Sequence, residues 1–131
     1  MVKKNPQASM LNYVPQALFP PKGKLPKRPL PNLKFDTNAL KNGEFIWLGH
    51  VSLICKLDGK TIVTDPVLHR AFPLPLGGKP FAYKHAITAS DYPEVINIAL
   101  ISHDHYDHLD YKTILELKDR IAKFLVPLGI K

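Results

Sequence analysis

The chain has 131 residues, 45% of them hydrophobic, which suffices for one modest domain with a core and is too little for two independent ones. No run approaches the ~18 apolar residues of a membrane helix, and Lys3-Lys4 is not followed by an apolar stretch that could serve as a signal peptide, so a cytoplasmic location is expected. A single cysteine, Cys55, excludes an intramolecular disulfide framework and a thiolate-rich zinc cluster; in its alternating apolar stretch it reads as a small buried hydrophobe.

The net charge of +7 is unevenly placed. Residues 1–35 carry seven basic side chains and no acidic one, while the remaining 96 carry eleven of each sign, so the basic character belongs to an N-terminal arm and not to the body. Seven of the 13 prolines fall within the first 31 residues. Proline lacks an amide donor and holds its predecessor extended, so residues 1–40 are expected to form a Pro-rich strap or loose arm, with Leu11, Tyr13, Leu18 and Phe19 laying part of it on the body. A solvated arm is preferred here over an electrostatic tether to anionic lipid, nucleic acid or an acidic partner.

Residues 41–131 carry the domain proper, with regular structure expected from about Glu44. Phe45-Ile-Trp-Leu48 predicts a buried strand ending at Gly49-His50. Val51, Leu53, Cys55 and Leu57 alternate with Ser52, Ile54 and Lys56, the period of a second strand. Asp58-Gly59 supplies the positive φ angles of a tight hairpin turn, and Lys60–Thr64 returns as its partner, ending at Asp65-Pro66. Residues 67–94 lack a long periodic segment and read as a long loop, of the kind that often carries function. Val95–Ile101 predicts another buried strand; Asp110 is placed as the N-cap of a helix running to about Lys123, with Ile114, Leu117 and Ile121 on one face, and Phe124 opens a further strand.

Between that strand and that helix stands Ser102-His-Asp-His-Tyr-Asp-His-Leu-Asp110. Residues two apart on an extended segment point the same way, so His103 and His105 can converge on one ion. As the chain turns toward the helix, Asp107 and His108 can face a second point nearby. Imidazoles with a carboxylate and no thiolate suit Zn²⁺, and also Fe or Mn.

These residues, with Trp47-Leu-Gly-His50, Asp58-Gly-Lys60, Thr64-Asp-Pro66 and Val126-Pro-Leu-Gly129, resemble the metallo-β-lactamase superfamily, and within it the branch of N-acyl-phosphatidylethanolamine-hydrolysing phospholipase D and related bacterial hydrolases. The resemblance implies an αββα sandwich of α/β class, with a mainly antiparallel or mixed sheet. It implies a dinuclear site, two Zn²⁺ when complete, in which His103 and His105 bind the first ion and Asp107 and His108 the second. A hydroxide bound by both metals would then attack a phosphodiester or a related ester or lactone, with Asp107 also holding it in line. Asp65 would steady a ligand histidine from behind. His50 would lie at the edge of the site or serve strand-end packing, and His69 and His85 would occupy the surface or a substrate pocket.

The resemblance also implies later ligands, a His, a bridging Asp and a final His, which are absent from these 131 residues. The chain is therefore expected to be the N-terminal half of such a domain, inactive alone, with self-association or a partner chain covering the open side. A small-molecule or lipid substrate is expected, with Phe72, Phe81 and Tyr83 walling a pocket; peripheral contact of the basic arm with an anionic membrane is the alternative to a solvated arm. Nucleic acid is disfavoured as a partner, since the body carries no net positive field. The competing readings are a catalytically incomplete fragment acting as a binding or assembly module, and a nuclease or iron-dependent redox member of the same superfamily.

Overall fold

The hairpin turn closes where the sequence places it. Asp58 and Gly59 take φ of 49° and 72°, and in the computed structural model, which describes residues 26–69 and 82–130, strands β2 (Ser52–Leu57) and β3 (Lys60–Thr64) pair antiparallel in register across them. Strand β1 (Phe45–Gly49) joins the outer edge of β2, and β4 (Ile98–Leu100) and β5 (Phe124–Leu125) extend the sheet on the other side, each parallel to its predecessor. The result is a five-stranded mixed sheet in the order β1-β2-β3-β4-β5 with a helix packed on one face, the α/β class expected from the sequence.

The directions matter more than the order. Only β2 runs against the others, so the carboxyl ends of β1, β3 and β4 lie at the same edge of the sheet. That edge is where α/β sheets place ligands, and here it receives Gly49-His50, Asp65 and the segment after Leu100.

One face of the sheet carries the core. Leu48, Ile54, Val63 and Ala99 are buried there against Leu117 of helix α1 (Tyr111–Leu117), with Leu40, Tyr92 and Ile96 completing the cluster. The opposite face stays open: Phe45 and Trp47 on β1 are 69% and 65% exposed, and Leu57, Leu100 and Leu125 are also exposed. Strand β1 is thus an edge strand buried on one face only, not a buried one. On β2 the deeply buried positions are Ser52 and Ile54; Cys55 lies half-buried on the other face, paired with Phe45 and Ile62, and desolvation raises its thiol pKa.

Two further expectations are modified by long-range pairing. Helix α1 ends at Leu117 and tightens through a 3₁₀ turn, Lys118–Arg120, because Ile121 is drawn into a bridge with Ile96 and the backbone there must become extended. The Arg120 guanidinium, in that 3₁₀ turn, donates to the carbonyls of Ala89 and Tyr92. Order also precedes Glu44: Leu30 bridges Tyr83, the Asn32 side chain pairs with both backbone groups of His85, and Leu40 enters the core. Leu11, Tyr13, Leu18, Phe19, Phe72 and Phe81 lie outside the described residues.

Candidate metal centre

The β1–β2 connection is tight, since Gly49 pairs with Ser52, and it requires left-handed backbone: φ is 108° at Gly49 and 48° at His50. Trp47 fixes the turn by donating its indole N–H to the carbonyl of His50 at 3.0 Å. The His50 ring is thereby held over the sheet edge, where its Nε2 lies 3.0 Å from Asp107 Oδ2.

Asp107 and His108 come from a turn built on His105, whose carbonyl accepts the N–H groups of His108 and Leu109. His108 Nε2 faces the same Asp107 oxygen at 4.0 Å, and one donor atom from each of His50, Asp107 and His108 can be chosen so that all three lie within 4.8 Å of one another. Partial burial works to raise the Asp107 carboxyl, but a backbone N–H, the His50 hydrogen bond and the charges of His108 and His50 outweigh it, holding the group below its usual value.

His103 and His105 are brought together beside this group. Their rings lie 4.7 Å apart edge to face, and the His103 ring lies 3.8 Å from that of His108. Neither joins the three-residue donor group, in which His50 stands instead.

Behind the histidines is a buried carboxylate. Asp65, 4% exposed, follows β3 in a left-handed turn at φ 37°. Its own N–H donates to Leu100 across the sheet, and its carbonyl accepts the Ser52 hydroxyl at 2.5 Å. One carboxylate oxygen accepts the Ser102 N–H at 2.7 Å; the other meets the Ser102 hydroxyl at 2.7 Å and His108 Nδ1 at 3.0 Å. With Nδ1 of His108 engaged from behind, its Nε2 is left to serve as a ligand, the arrangement by which carboxylates orient metal-binding histidines.

The other sequence candidates sit elsewhere. His69 pairs with Glu116 at 2.9 Å, and His85 stands by the strap beside Asn32. Tyr83 lies across Gly49, so close that a side chain on that glycine would collide with its hydroxyl. Sequence reasoning gave Ser102 no role of its own; its position at the end of a strand, directly before the first histidine, was the available signal.

The donors fit a borderline metal: two imidazoles and one carboxylate of lowered pKa, with further imidazoles adjacent and no thiolate.

Comparisons with known proteins place these features. A family model described as a beta-lactamase superfamily domain matches residues 44–129. The N-acyl-phosphatidylethanolamine-hydrolyzing phospholipase D 1 of Caenorhabditis elegans is 38% identical over 108 residues, 79% of this chain and 30% of that protein. A UPF0173 metal-dependent hydrolase of Hyperthermus butylicus is 30% identical over 79 residues, 60% of this chain and 29% of that one. Among solved structures, CmlA, a diiron beta-hydroxylase from Streptomyces venezuelae, aligns with a TM-score of 0.49 and 31% identity over 63% of this chain and 15% of that one. The chain spans less than a third of the length of these two curated relatives.

Proposed function

We propose a function from one premise: the chain belongs to the metallo-β-lactamase superfamily, and its residues form part of the active site of a metal-dependent hydrolase acting on a phosphodiester of the N-acyl-phosphatidylethanolamine kind, or on a related ester or lactone. The observation that carries it is the convergence of His50, Asp107 and His108 at the sheet edge, with Asp65 behind His108. The Caenorhabditis elegans phospholipase D and the Hyperthermus butylicus metal-dependent hydrolase, by their names, support the reaction class.

Zn²⁺ is the preferred metal, with Fe or Mn also suited to these donors, and two ions are expected in the whole protein's site. When bound, such a metal lowers the pKa of water and polarises a phosphoryl or carbonyl oxygen. The chain's residues supply the rest. His50, Asp107 and His108 hold the ion, His103 and His105 offer a neighbouring pair, and Asp107, kept ionised, accepts a hydrogen bond from the attacking water and so orients it. In this reading turnover belongs to the whole protein, and the 131-residue chain alone binds metal without efficient hydrolysis. The basic arm is assigned contact with an anionic membrane surface on the cytoplasmic side, and a partner or second copy the open sheet face.

The test is hydrolysis of bis(p-nitrophenyl) phosphate and N-acyl-phosphatidylethanolamine by the whole protein with and without Asp107→Asn. A loss of roughly a hundredfold or more in kcat is expected, within the range set by general acid–base and electrostatic terms. Unchanged turnover defeats the reading.

A further inference from the structure

Ser102 stands at a junction that the metal-binding motif does not include. Its hydroxyl oxygen lies 2.7 Å from Asp65 Oδ2, 3.0 Å from His103 Nδ1 and 3.0 Å from His108 Nδ1. A hydroxyl has one hydrogen to give and two lone pairs to receive with, so the protons among these four groups are not free to choose their places.

The carboxylate decides. Asp65 can only accept, and at 2.7 Å two oxygens without a proton between them would repel, so the Ser102 hydrogen points to Asp65. The serine oxygen is then an acceptor toward both rings. His103 and His108 must each carry their proton on Nδ1, and His108 shares its proton between Ser102 and Asp65 Oδ2, 3.0 Å away. In both rings the lone pair is left on Nε2, the nitrogen that for His108 faces Asp107. Although Ser102 itself reaches solvent, its partner Asp65 is 4% exposed and is held by the Ser102 backbone N–H as well, so the hydroxyl is aimed from a fixed support.

We propose that Ser102 is a positioning residue whose single hydroxyl, oriented by Asp65, sets the Nδ1–H tautomer of His103 and His108 together and so pre-arranges two imidazoles as Nε2 donors. This deepens the proposed metal site and rests on it only for the consequence in metal affinity; the tautomers are a property of the metal-free chain. A neutral imidazole without such a partner prefers its proton on Nε2, which blocks that nitrogen as a ligand. Ser102 therefore supplies part of the cost of preparing the site before any ion arrives.

The experiment is nitrogen NMR of the histidine rings in the metal-free full chain, at a pH where the rings are neutral, for wild type, Ser102→Ala and Ser102→Thr. Wild type is expected to show Nδ1–H at both His103 and His108. The alanine variant is expected to move His103 toward Nε2–H and to weaken Zn²⁺ binding about tenfold by calorimetry, with threonine restoring both. An Nε2–H tautomer at either ring in wild type overturns the proposal without recourse to any variant, as does an unchanged His103 tautomer in a folded alanine variant. If wild type shows the expected tautomers but binds no Zn²⁺, the positioning role stands and the metal-site reading falls.

Discussion

The carboxylate of Asp110 accepts the backbone N–H of His69 at 2.7 Å, across 41 residues of chain. The same oxygen takes the N–H of Leu68 at 3.2 Å and the hydroxyl of Thr113 at 2.6 Å. Asp110 occupies the N-cap position of α1, yet its side chain does not cap that helix; it ties the segment after Asp65 to the helix that follows the histidines. Removing it leaves partly buried donors unpaired. Asp110→Ala is expected to cost about 2–3 kcal/mol of stability, measured from urea unfolding midpoints, and a change under about 0.5 kcal/mol would contradict this role.

The same contacts give stability a pH dependence of known sign. Burial works to raise the Asp110 carboxyl, but the Thr113 hydroxyl, the N–H groups of His69 and Leu68 and the charge of His69 outweigh it and lower its pKa. A carboxyl with a lower pKa folded than unfolded contributes fully above the unfolded value, about 3.9, and loses the contribution as pH falls through the folded one. The stability gap between wild type and Asp110→Asn should therefore narrow as pH falls below about 4. A gap that widens on acidification would reverse the assignment.

Gly49 is constrained twice. Its φ of 108° disfavours any other residue, and a Cβ there would strike the Tyr83 hydroxyl. Gly49→Ala is expected to lose about 1–3 kcal/mol. Adding Tyr83→Phe removes the struck atom but not the backbone cost, so the double variant should recover part of the loss. Strict additivity in thermal unfolding would show that the two residues do not meet.

Trp47 is the single tryptophan and is bonded to the carbonyl of His50, one of the three clustered donors. Zn²⁺ binding that moves the His50 ring must strain that turn. A saturable change in intrinsic fluorescence on titration with Zn²⁺ is expected, weakened about tenfold or more in apparent affinity by Asp107→Asn. A metal that binds by calorimetry yet leaves the emission untouched would exclude His50 from the site.

What was legible in the sequence was local. Asp58-Gly59 announces its hairpin because both residues tolerate the backbone the turn demands, and the histidine motif announces itself by spacing. What was hidden is set by neighbours distant in sequence. The end of α1 could not be read from its apolar period, because Ile121 answers to Ile96. The exposure of Phe45 and Trp47 follows from the open face of the sheet, where Leu57, Leu100 and Leu125 are exposed as well, and no property of the strand itself encodes which face is covered. Likewise His50 meets Asp107 across 57 residues only because β1 and β4 run in the same direction to the same edge.

The turn at Asp65 limits which residues can ever stand there. At φ 37° the backbone admits glycine, asparagine and aspartate with least strain. Glycine brings no acceptor. Asparagine can turn its oxygen to the Ser102 N–H, but its amide group then donates toward His108 Nδ1 and drives the ring proton to Nε2, the nitrogen a metal needs. Of the three, aspartate fits the turn, accepts from the Ser102 N–H and leaves His108 Nε2 free to bind, so the shape of the main chain and the histidine together narrow the choice at position 65.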